Sequence, residues 1–191
     1  MANVYETADF RNGLKIEVDN QPYTITYFQF VKPGKGTAFT RTKIKNLLTG
    51  AVIERTYRTG ETVDAADVEE HTMQYLYNDG ESYTFMNNES FEQVEIGAAL
   101  LGDDAKFLME NMEVQVLFWR GKPITITLPT FIETKVVYTE PAVRGNSSGN
   151  VLKDAKLDCG ATVGVPLFVN EGDMIRVDTR EGGSYVSRVS K

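Results

Sequence analysis

The sequence predicts a mainly β chain of three small β-barrel domains, an SH3-like (KOW-like) barrel at the N-terminus followed by two OB-type barrels. Three observations carry this. Short runs of alternating apolar and polar residues recur along the chain, separated by Gly, Asn, Asp and Pro turn signals. A helical period occurs in one segment only, near 103–112. Charge is also partitioned. Residues 1–60 carry +4, residues 61–128 carry −11 and residues 129–191 are neutral, together the net −7. The boundaries that follow are 1–64, 65–128 and 129–191.

In the first third the predicted strands are Leu14–Val18, Tyr23–Val31, Thr37–Leu47 and Val52–Tyr57, with turns at Asp19-Asn20 and Thr49-Gly50. Between the second and third lies Lys32-Pro33-Gly34-Lys35-Gly36. Proline sets one φ and two glycines are free to take φ > 0, so Lys35 stands between residues without bulk. The next strand places Phe39, Arg41, Lys43 and Lys45 on one face, since alternate residues share a face. A lysine-tipped loop beside a basic, aromatic-edged strip suits a phosphate-rich partner. On these residues alone, an ordinary hairpin with solvated lysines is the competing reading.

Arg58 to Glu70 turns polar and then acidic and reads as a linker. The middle third predicts a hairpin, Met73–Tyr77 with Tyr83–Met86, around Asn78-Asp79-Gly80. Leu101, Ala105, Leu108 and Met112 repeat at helical spacing behind Asp103 and Asp104, which suit a helix N-terminus. A second hairpin, Val114–Trp119 with Ile124–Leu128, turns at Arg120-Gly121-Lys122. In the last third, Phe131–Thr139, Ala161–Val169 and Met174–Thr179 read as strands, and Tyr185–Val189 returns after Glu181-Gly182-Gly183. Arg144 to Asn150 reads as a polar loop.

Several functions lack their residues. Catalysis needs converging acids, bases, nucleophiles or metal ligands, and the chain has one histidine, His71, beside Glu69 and Glu70, where solvation explains it. Cys159 has no basic neighbour and reads as a packing residue, as Trp119 reads as core. Gly34-Lys35-Gly36 lacks the spacing of a phosphate-binding loop. No apolar run has the length of a membrane span, the N-terminus has no signal-peptide core, and one cysteine fits a reducing compartment. The expectation is a cytoplasmic, monomeric protein that is not an enzyme and uses no cofactor or metal.

Further residues carry a resemblance. Besides Lys32 to Gly36 they are Asn46-Leu47-Leu48-Thr49-Gly50, Gln74 to Glu81 and Phe85-Met86-Asn87-Asn88-Glu89. Lys153, Ala155, Gly160, Val163, Val165-Pro166, Val169 and Gly172 follow in order, then Val177-Asp178-Thr179-Arg180 and Tyr185-Val186-Ser187-Arg188. Over its whole length the chain resembles the bacterial elongation factor P family. The resemblance implies an L-shaped, tRNA-like arrangement of three barrels that binds the 70S ribosome beside the peptidyl-site tRNA and rRNA. It implies that Lys35 is a loop-tip lysine lengthened by a lysine-modifying enzyme, supported by Lys32, Pro33, Gly34 and Gly36, which aids joining of consecutive prolines. It also implies tRNA or ribosome contacts at Arg41, Lys43, Lys45, Gly145, Asn146, Tyr185 and Arg188.

One departure stands out. Asn146-Ser147 occupies the place of the family's usual Asp-Thr after Arg144-Gly145, and Ala142 that of a usual glycine. Two other readings fit the same residues: a paralogue of this fold acting on other stall sequences, and a general OB-fold RNA-binding protein, which would favour free single-stranded RNA.

Overall fold

The fold is seen in a computed structural model that describes residues 3–142 and 151–189. Most of its strands lie on the alternating segments, and three antiparallel sheets result. The first holds β1 (Val4–Glu6), β2 (Lys15–Val18), β3 (Gln21–Val31), β4 (Phe39–Asn46), β5 (Val52–Arg58) and β6 (Thr62–Ala65), in the order β1-β6-β2-β3-β4-β5. The second holds β7 (Val68–Asn78), β8 (Ser82–Asn87), β9 (Gln93–Gly97), β10 (Glu113–Trp119) and β11 (Lys122–Thr127), ordered β11-β10-β7-β8-β9. The third holds β12 (Phe131–Thr139), β13 (Leu152–Leu157), β14 (Thr162–Pro166), β15 (Met174–Asp178) and β16 (Ser184–Arg188), ordered β14-β13-β12-β15-β16. By packing, the chain divides into two units, Met1–His71 with Val116–Thr125 and Thr72–Gln115 with Ile126–Lys191.

In the first unit, Val18 pairs with Gln21 across Asp19 and Asn20, whose φ values of 50° and 62° are those a two-residue turn needs between twisted strands. The inward residues Ile16, Ile25 and Ile44 are fully buried, and Phe10 meets Tyr57 edge to face at 5.3 Å. Buried Asn46 is satisfied: its amide donates to Gln21, and its carbonyl accepts from the backbone N–H of Leu48 and Thr49. The β10–β11 turn belongs to this unit. Arg120, at φ 50°, donates from its guanidinium to Glu17 and Asn20, both at 2.8 Å, and from its backbone N–H to the Asp67 carbonyl. That guanidinium also lies 4.7 Å from the Trp119 ring, which is half-buried rather than core.

The acidic stretch read as a linker is instead two strands. β6 pairs with β1 and β2, and β7 begins at Val68. Pairing partners far away in sequence override its weak local strand propensity. His71 therefore sits on β7, 3.2 Å from Glu69 and edge-on to Phe118.

In the second unit the predicted helix moves and shortens. A single α-helical turn, α1 (Ala98–Leu101), passes into a 3-10 segment, Gly102–Phe107, which ends at an extended Leu108, and the chain then turns at Glu110 and Asn111. Gly102 at φ 56° ends the α-helix, and the apolar spacing that mimicked a longer helix instead buries Leu101, Phe107 and Leu108. Phe107 inserts among Ile132, Val136, Val163 and Val177 of the third sheet's core. Gly183, at φ 93°, lies against that ring. Strand β13 is an element the sequence reading missed, because Leu152-Lys153-Asp154-Ala155-Lys156-Leu157 has few β-branched residues.

Candidate nucleic-acid interface

β3 and β4 form a long hairpin, with a bulge between Ile25 and Tyr27 that re-aims the outer half of β3. Beyond it, Tyr27 lies opposite Lys43, Gln29 opposite Arg41 and Val31 opposite Phe39. Directly opposed residues share a face, so Tyr27 and Gln29 join the strip read from β4 alone. On β4 the alternation is complete: Arg41, Lys43 and Lys45 are exposed, Thr40, Thr42, Ile44 and Asn46 buried. β5 adds Arg58 opposite Phe39 and Glu54 opposite Lys43. The Lys43–Glu54 pair is long, at 3.8 Å, and exposed, so it binds the lysine weakly. Arg41 lies 5.5 Å from the Phe39 ring, which holds its guanidinium along the face. Tyr27, Gln29 and Arg58 escaped the sequence reading because cross-strand register is not a local signal.

The loop 32–38 closes this hairpin. Lys32, Gly34, Lys35 and Gly36 are exposed and Pro33 is half-buried. Of the two glycines only Gly36 uses its freedom, at φ 116°, with Pro33 Cγ 3.7 Å from where a Cβ would stand. Gly34 does not take a positive φ, and space around it is open. Among the described residues Lys35 has no hydrogen-bond or ion-pair partner. The loop thus presents an unengaged primary amine at the end of a basic hairpin.

Tyr185 and Arg188 come together on the edge strand β16 of the second unit. Tyr185 is half-buried and packs on the third sheet's core, so part of its role is structural. Arg188 is exposed, 3.9 Å from the Asp173 carboxylate and 5.0 Å from the Phe168 ring centroid. Nearby, Arg180 grips Asp178 through two nitrogens and holds its carboxyl down at about 2. Gly145 and Asn146, with the departure at Asn146-Ser147, lie outside the described residues. Among the described residues no group of His, Cys, Asp and Glu side chains could hold a metal ion, and no helix is long and apolar enough to cross a membrane.

The architecture has solved counterparts. Eukaryotic translation initiation factor 5A from Methanococcus jannaschii matches 66% of this chain and 93% of its own, with a TM-score of 0.56 at 20% identity. An eif-5a family protein from Naegleria fowleri matches 66% of this chain and 96% of its own, with a TM-score of 0.50 at 17% identity. These likenesses define the fold class, a mainly β chain with barrel-like sheets.

The sequence comparisons go further. Family models match the elongation factor P KOW-like domain over residues 6–63, its OB domain over 68–126 and its C-terminal domain over 132–188. Elongation factor P of Moorella thermoacetica is 52% identical over 182 residues, covering 95% of this chain and 98% of that protein. That of Pelotomaculum thermopropionicum is 49% identical over 183 residues, covering 96% and 98%. The chain belongs to the elongation factor P family of translation factors.

Proposed function

We propose that this protein binds the 70S ribosome beside the peptidyl-site tRNA and promotes peptide-bond formation at consecutive prolines. The observation that carries the reading is the β3–β4 hairpin, whose basic face runs up to an exposed loop with an unpaired Lys35 at its tip. Lys43, Arg41 and Lys45 neutralise backbone phosphates along the hairpin, and Tyr27 and Phe39 offer rings for ribose or base contact. Lys35, lengthened by a lysine-modifying enzyme, steadies the tRNA end.

Proline reacts slowly because its ring restricts approach geometry. Holding the reactants raises the fraction in a near-attack arrangement without any acid or base from the factor. Lys35 is a positioning group, and the protein acts in the cytoplasm as a monomer, without cofactor and without being an enzyme. The far-end pair Tyr185 and Arg188 supplies a second RNA contact.

The test is translation in vitro of a template with three successive prolines, using the natively modified protein and its Lys35→Arg and Lys35→Ala variants. Arginine keeps the charge but cannot be modified as a primary amine. Both variants should lose nearly all stimulation while melting like the parent, since the side chain stands on an exposed loop. Full activity of Lys35→Arg would overturn the modified-lysine mechanism.

A further inference from the structure

We propose that Phe168 is a nucleobase-stacking residue, forming with Arg188 and Tyr185 a single-nucleotide RNA site at the edge of the third sheet. The proposal rests on the ribosome-binding reading and deepens it at the far end of the chain. Phe168 lies between β14 and β15 with 56% of its surface exposed. Its position is nevertheless held. Val165 and Val169 on either side are fully buried, and the Val169 N–H donates to the Pro166 carbonyl. Beyond it, the Asn170 N–H donates to the Asp173 carboxylate at 2.9 Å. A ring held in solvent by these backbone bonds forgoes the stabilisation that burial would bring.

The surroundings select the partner. Arg188 lies over the ring at 5.0 Å, and Tyr185 meets it at 6.4 Å and 75°, so the ring is backed on one side by a cation and braced by a second aromatic. Asp173 engages Arg188 only at 3.9 Å, leaving most of the five guanidinium donors for another acceptor. An aromatic face with an adjoining guanidinium is the pairing that takes a base and its phosphate. One ring and one cation are too small for a stable protein interface, which needs about 800 Å² from each partner.

The experiment uses the full-length chain and 70S ribosomes carrying peptidyl-tRNA, with binding measured for Phe168→Ala, Phe168→Leu, Phe168→Tyr and Phe168→Trp, each melted beside the parent. Removing one stacked base should lower affinity about tenfold, so Phe168→Ala and Phe168→Leu should both fall by that factor and Phe168→Tyr should not. The added tryptophan of Phe168→Trp should be quenched on binding, read as the difference from parent protein, which has Trp119 alone. Parental affinity for Phe168→Leu with loss for Phe168→Ala would indicate an apolar protein contact and overturn the stacking role, as would unquenched Phe168→Trp. Equal binding by all variants overturns the stacking role alone. Failure of the parent protein to bind ribosomes overturns the ribosome reading with it.

Discussion

Replacing Gly183 with alanine tests both the packing of the second unit and the placement of strand β16. Gly183 has φ 93° and ψ 134°, a region that side-chain-bearing residues enter at a cost of about 1–3 kcal/mol. An added Cβ would stand 2.5 Å from Phe107 Cζ, 3.0 Å from its Cε1 and 3.3 Å from Val163 Cγ1. Phe107 is buried in a packed core, so it cannot swing away, and overpacking of this kind costs a further ~1–3 kcal/mol. Together the loss is about 2–6 kcal/mol, which at ~2–4 °C per kcal/mol for a chain of this length lowers Tm by roughly 4–24 °C.

Urea and thermal unfolding of full-length protein measure it. A second substitution identifies the cause. Phe107→Leu removes the ring tip and alone costs ~1–2 kcal/mol, but in the Gly183→Ala background it removes the clash. The double variant should therefore be at least ~1 kcal/mol more stable than additivity predicts. Because β16 starts at Ser184 and carries Tyr185 and Arg188, Gly183→Ala should weaken ribosome binding as well. A loss under ~0.5 kcal/mol, or strict additivity with Phe107→Leu, would refute the reasoning.

Charge reversal of Arg41 or Lys43 to Glu should weaken ribosome binding by ~1 kcal/mol or more each and flatten its salt dependence, whereas Glu69→Lys on β7 should not weaken it; equal losses would show that the basic face is not the contact. Arg120→Ala should cost about 1 kcal/mol of stability by removing the bonds to Glu17 and Asn20, and a double-mutant cycle with Glu17→Gln should show positive coupling; zero coupling would refute a direct interaction. The Asp178 carboxyl, held at about 2 against an ordinary 3.8, contributes stability that is complete above about pH 4 and is lost as pH falls through about 2. Acid titration of Asp178→Asn should lack that part of the stability slope, and an unchanged slope would show that the Arg180 pairing persists in the unfolded chain.

By itself the sequence determined strands β2 to β5 of the first sheet, the basic side of β4, the exposed Lys35 loop and the family. All of these rest on local information. Period-two alternation states which side of a strand faces a core, and a Pro-Gly-Lys-Gly run states where a chain must turn without bulk. Tertiary structure decided what depends on partners distant in the chain. Register across β3 and β4, shifted by a bulge, is what sets Tyr27 and Gln29 beside Lys43 and Arg41. Pairing with β1 and β2 is what makes a strand of the acidic segment at Thr62–Ala65. The spacing of Leu101, Leu108 and Met112 resembled a helix, yet these residues share no helix, because Phe107 gains more by entering the third sheet's core than by continuing one. Phe168 looked like one more strand residue until the chain beyond Pro166 left it outside β14 with its ring under Arg188. Burial is a property of the assembled surface, and local periodicity cannot report it where the chain leaves regular structure.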